Sequence, residues 1–186
     1  MKTTLRTHAA RRHQAGLTLV ECAITTTVLA IVAGLTVPAF GTARERRHLE
    51  GAAAQLETDL MLSRSLAVAR NEVVRMSFER DAGAGTSCYV VHTGAAGDCG
   101  CAANGSAVCS NGAEPLRSVR YGAEVPLALT SNSRSIQFDP VRGTITPTAT
   151  VRVTGSNGSA IHQVINIMGR VRSCSPAPAL AGYATC

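Results

Sequence analysis

Three groups of residues in the 186-residue sequence have types and spacings that could do chemistry. The first is Glu21, the one charge in a 24-residue, mostly apolar run over 17–40, LTLVECAITTTVLAIVAGLTVPAF. A carboxylate there costs about 2.5–3.5 kcal/mol at the middle of a bilayer, and less near one end. Either way it calls for a cationic partner that the run does not supply. The second group is Gly169, Arg170, Val171 and Arg172, the string GRVR. Two Arg separated by one residue lie on the same side of an extended chain, and Gly169 permits a tight turn before them. The planar guanidinium donates two parallel hydrogen bonds, a geometry suited to phosphate. The third group is the six Cys beyond the apolar run: Cys88, Cys99, Cys101, Cys109, Cys174 and Cys186.

An even number of Cys behind an export-type segment, in a chain with 3% aromatic residues and no Trp, points to a disulfide framework. Six Cys allow 15 pairings. Cys174 with Cys186 would close a short C-terminal loop, and the other four would staple the stretch 88–109. The competing chemistry is a zinc site from Cys88, Cys99, Cys101 and Cys109, but the spacing lacks a Cys-x2-Cys knuckle. No hydrolase elbow, phosphate loop or HExxH is present, and His48, His92 and His162 are scattered. The expectation is a protein with no catalytic residues, no metal and no cofactor.

The elements that must position these groups follow from the chain's periodicities. The run 17–40 is long enough, at about 1.5 Å per residue, to span a hydrocarbon core of about 30 Å. Lys2, Arg6, Arg11 and Arg12 precede it without any acid, which favours an N-terminus kept in the cytoplasm; Arg44, Arg46 and Arg47 beyond it weaken that asymmetry. The alternative is an ordinary signal peptide cut after Gly41, Thr42 and Ala43, but the run is long for that and carries Glu21. Over 41–72 a helical pattern continues, with Leu49, Ala53, Leu56, Leu60 and Ala67 as one apolar stripe; Asp59 lies mostly off it. Pro38 predicts a kink. From Glu72 the period changes. VVRMSFE, SCYVVHT, RSIQFDP, ATVRVTG and AIHQVINI read as strands, and 94–115 as a long ordered loop or irregular hairpin. The fold class is α+β, a helix packed on antiparallel sheet. The formal charge of +6 is uneven: residues 17–115 hold seven Arg and ten acids, whereas from Leu116 onward seven Arg (117, 120, 134, 142, 152, 170, 172) face only Glu124 and Asp139.

GLTLVE at 16–21, behind a basic leader, resembles the type IV prepilin signature. LETDLMLSRSLAVARNEVVRMSFE, FDPVRGTI and INIMGRVRSC resemble segments of GspH/FimT pseudopilins, and GRVR resembles the GRxR motif of FimT-type minor pilins. The resemblance implies a type IV pilin-like architecture: a leader over 1–16, a transmembrane half-helix over 17–40, an amphipathic half over 41–72 and a periplasmic β-rich domain over 73–186. It implies that a prepilin peptidase cuts between Gly16 and Leu17 and N-methylates Leu17. Glu21 would then compensate the new amine of a neighbouring subunit. Cys22 departs from the large aliphatic residue usual after that Glu and reads as a small lipid-facing hydrophobe. The implied location is the bacterial inner membrane, single-pass, with assembly alongside other pilins or pseudopilins. GRVR implies double-stranded DNA as a partner in natural transformation, bound through phosphate contacts of Arg170 and Arg172. The alternative is a GspH-like subunit near the tip of a type II secretion pseudopilus, without DNA binding.

Overall fold

The structure, a computed structural model, describes residues 16, 18–81, 83–102, 104–122 and 124–186, with the side chains of 35–40 left aside. The expected leader, other than Gly16, and the expected new N-terminal residue Leu17 therefore lie outside the described residues.

Helix α1 runs over Leu19–Arg70. Its start is chemically explicit: Thr18 Oγ1 accepts the Glu21 N–H at 3.2 Å, and Glu21 stands in the first turn. Thr-x-x-Glu is a capping-box sequence, and an acid is favoured at the positive end of the helix dipole. Thr25, Thr26 and Thr27 would be misfits in an apolar run, but their hydroxyls bond back to carbonyls three or four residues earlier. The helix ends at Asn71, whose φ of 50° is the left-handed conformation of a helix stop. The contacts divide the chain into Met1–Gly41 and Thr42–Cys186. Among the described residues, no helix is long and apolar enough to cross a membrane. The span expected over 17–40 and the kink expected at Pro38 fall partly or wholly on residues or side chains outside the description.

The second unit places the later part of α1 against two sheets. The first has the order β5 (Pro115–Tyr121), β2 (Thr86–Thr93), β1 (Val74–Asp81), β7 (Ser135–Phe138), β8 (Ile145–Thr146). The second has the order β12 (Ala184–Thr185), β11 (Val171–Ser175), β10 (Ala160–Ile165), β9 (Ala149–Gly155), β6 (Leu127–Ser131). The fold is α+β with antiparallel sheet, as expected. The strands divide into two five-stranded sheets, and the short β12 runs parallel to β11. The core is shared by all three layers: Leu49, Leu56 and Leu60 of α1 pack with Met76 and Tyr89 of the first sheet and Val151 and Ile161 of the second. The whole apolar stripe read from the sequence is buried. Asp59 corrects the reading, since it is 2% exposed, inside the stripe.

A hairpin of β3 (Cys99–Cys101) and β4 (Ala107–Cys109) occupies the stretch read as loop or hairpin. Cys99 and Cys109, a directly opposed pair, are disulfide-bonded, and Cys88–Cys101 ties the hairpin to β2. Cys174–Cys186 fastens the C-terminus beside β11. All six Cys are consumed in this way, so the zinc alternative has no thiolates left to supply ligands. Disulfides closing loops this short stabilise by roughly 2–4 kcal/mol each.

Candidate functional site

GRVR forms the return of the β10–β11 hairpin. Asn166 N–H donates to the Arg170 carbonyl at 3.1 Å, and Asn166 Oδ1 accepts the Arg170 N–H at 2.9 Å. Gly169 bonds back to the Asn166 carbonyl and has φ +77°. An L side chain is strained at that φ, so the glycine is a requirement of the turn. On β10, Ile161, Gln163 and Ile165 are buried toward α1, with Gln163 Nε2 donating to the Ala53 carbonyl at 3.1 Å. Val164 therefore faces outward, and so does its register partner Arg172. Arg170 and Arg172 are both exposed. Neither guanidinium has a hydrogen-bond or ion-pair partner among the described residues.

A second turn lies alongside. Between β7 and β8, Asp139 Oδ1 accepts the N–H groups of Val141 and Arg142 at 2.9 and 2.7 Å. Gly143, with φ +62°, bonds back to the Asp139 carbonyl. The carboxylate is turned into its own loop and leaves Arg142 exposed. The Ile145 N–H donates to the Ile167 carbonyl at 2.9 Å, which joins the two turns across the sheets. Val141, Ile167 and Met168, exposed by 84, 53 and 65%, form an apolar fringe at these tips.

The other Arg of the basic C-terminal third have separate fates. Arg117, read as a possible extension of a basic patch, is taken: its Nε lies 2.6 Å from Asp59 Oδ2. The same oxygen accepts the Tyr89 hydroxyl at 2.6 Å. Asp59 holds the Arg117 pKa up, while burial, helped by Asp59, raises that of Tyr89. Arg120 and Arg134 line a groove of about 690 Å³ on the outer side of the first sheet, with Ser77, Glu79 and the Cys88–Cys101 bridge. Arg152 sits opposite His162 on the outward face of the second sheet, the face that carries Arg172.

Two residues that sequence alone leaves scattered do meet. Ser77 Oγ and His92 Nε2 are 2.8 Å apart, and His92 Nδ1 is 2.7 Å from the Thr93 carbonyl. His92 is fully buried, so the pair satisfies interior polar groups. His162, whose pKa is lowered by partial burial and then by Arg152, has Nδ1 3.5 Å from Cys186 Sγ. His162, Cys174 and Cys186 cluster, as do Glu79, Cys88 and Cys101, but in each cluster the two sulfurs belong to a disulfide. At the other end of the chain, Glu21 is exposed, and its carboxylate has no partner among the described residues.

A solved structure of the type IV minor pilin FimU of Pseudomonas aeruginosa superposes with a TM-score of 0.50 at 18% identity, covering 72% of this chain and 96% of that one. At that identity the likeness establishes the fold. Curated proteins give no match. The family model described as type II transport protein GspH matches residues 52–169, from the middle of α1 to the glycine of GRVR. That match spans more than half of the chain, and the protein belongs to the GspH/FimT family of pseudopilins.

Proposed function

We propose that this pseudopilin is a minor pilin that binds double-stranded DNA at Gly169, Arg170 and Arg172, serving DNA uptake on a type IV pilus. The observation that carries the reading is the GRVR turn itself. Two exposed Arg follow a glycine that the turn requires, and no acid of the described chain neutralises them. Aromatic residues make up 3% of the chain, so the mode is phosphate contact without base stacking, tolerant of sequence and sensitive to salt. Assembly follows prepilin logic: a prepilin peptidase cuts after Gly16, Leu17 is N-methylated, and Glu21 receives the amine of the next subunit. The apolar segment is retained in the inner membrane, and the β-rich domain is periplasmic.

The test is a mobility-shift titration of the full chain in non-ionic detergent with a short duplex at two salt concentrations. Arg170→Ala with Arg172→Ala should weaken binding and lower the slope of log K against log salt by about 2. No binding by the unmutated chain at low salt refutes the DNA reading. A second reading, a GspH-like tip subunit of a type II secretion pseudopilus that contacts only protein, is favoured by the exposed Val141, Ile167 and Met168. Exposed apolar clusters mark protein contacts more often than phosphate sites.

A further inference from the structure

Arg64, on α1, is the residue that ties the two basic turns together. A Cβ built on Gly143 would lie 3.0 Å from Arg64 Nε, and one built on Gly169 would lie 3.2 Å from Arg64 Nη1. The guanidinium thus lies across both glycines, one residue after Arg142 and one before Arg170. Both glycines also have positive φ, so a side chain at either position would be strained and would press on Arg64.

Arg64 is half-buried, yet its guanidinium has no hydrogen-bond or ion-pair partner among the described residues. Other Arg side chains of the unit are engaged within it: Arg46 with Glu50, Arg70 with Glu114, Arg75 with Gln137 and Arg117 with Asp59. A clamp serving only to hold the turns would donate to their carbonyls; this one touches backbone and keeps its five N–H donors available. A partly desolvated cation without an acceptor gains more from an anion than a fully solvated one does. Asp139, the acid nearest in the chain to Gly143, has Oδ1 occupied by two backbone N–H groups.

We infer that Arg64 is a phosphate ligand, the central cation of a composite site that also includes Arg142 and Arg170. The site draws on the helix and both hairpin turns, so it grips adjacent phosphates of a backbone. GRVR is then one wall of the site, and the role of Gly169 is to seat Arg64 as well as to turn the chain. The inference rests on the DNA reading above and deepens it.

The experiment compares full-chain Arg64→Ala, Gly143→Ala, Arg170→Ala with Arg172→Ala, and unmutated protein, each titrated with the same duplex across a salt series. Arg64→Ala should weaken binding about tenfold and reduce the salt slope by about 1, with the thermal midpoint unchanged. Gly143→Ala, which displaces Arg64 without touching GRVR, should reproduce the loss. If Arg64→Ala binds like the unmutated chain while the GRVR pair loses binding, the inference fails and the DNA reading survives. If Arg64→Ala weakens binding with an unchanged slope, Arg64 only positions the turns, and the inference fails. If the unmutated chain binds no DNA, both fail together. Binding of polyglutamate at matched charge with the same dependence on Arg64 would overturn the phosphate assignment in favour of an acidic protein partner.

Discussion

One carboxylate in the core decides how several side chains are used. Asp59 is buried among apolar neighbours, and Tyr89 and Arg117 both reach the same oxygen of it. Taking away one partner of such a group leaves it under-solvated, whereas removing a polar atom that has no partner relieves the interior. Tyr121 is such an atom's owner: its hydroxyl is buried without a hydrogen-bond partner among the described residues, beside Tyr89 at 6.5 Å between ring centroids. Two similar substitutions should therefore act differently. Tyr89→Phe should cost about 2 kcal/mol, through loss of a bond to a charged acceptor. Tyr121→Phe should be neutral or stabilise by up to about 1 kcal/mol. Urea midpoints at constant m value measure both, and equal losses in the two variants would show that the Asp59 network is not the discriminating feature. The network also explains why net charge is a poor guide to a binding surface here: Arg117 counts toward the basic C-terminal third but is committed inward.

At the scale of elements, the β3–β4 hairpin shows what holds when propensity does not. Its strands read CGC and AVC, with little to favour pairing. Two disulfides take the place of a hydrophobic face: one across the hairpin and one from Cys101 to Cys88 of β2. Cys88→Ser with Cys101→Ser should cost about 2–3 kcal/mol and should speed amide exchange in 99–109 selectively. Unchanged exchange there would mean that Glu79, which accepts the Cys101 N–H at 2.8 Å, and Ser118, which donates to the Gly105 carbonyl at 2.9 Å, secure the hairpin without that bridge. The same physics sets what could be read in advance. β1, β2, β7, β9 and β10 were legible because β-branched and aromatic residues alternate toward a core. β5 was not: PLRSVRY buries only Tyr121 fully, so no alternation toward a core marks it as a strand. The GRVR turn was legible from its glycine, since a positive φ is a local demand. Arg64 was not, because the glycines it covers stand far from it in the chain and meet it only after two sheets have closed on the helix.

For the whole molecule, the question is how a chain carrying a lone carboxylate in an apolar segment joins a polymer. The backbone and the side chain of Glu21 are used differently. Its backbone N–H is accepted by Thr18 Oγ1 at the start of α1, and its acid stands in the first turn. It also presents a carboxylate with no partner among the described residues, which we propose pairs with the N-terminal amine of the next subunit. The N–H that Thr18 accepts belongs to the backbone, so it survives both Glu21→Gln and Glu21→Ala. Pairing needs the charge, and truncating one partner of a desolvated charge pair costs about 2–5 kcal/mol. Both substitutions remove the charge, and Glu21→Gln does so while keeping the length and polarity of the side chain. Cleavage after Gly16, read as a mass shift on a gel, should proceed in both variants. Incorporation into sheared filaments should fall at least about tenfold in both, since tenfold corresponds to only about 1.4 kcal/mol. If Glu21→Gln is incorporated normally and Glu21→Ala is not, a polar side chain of this length suffices without charge, and the amine of the neighbouring subunit must be neutralised elsewhere.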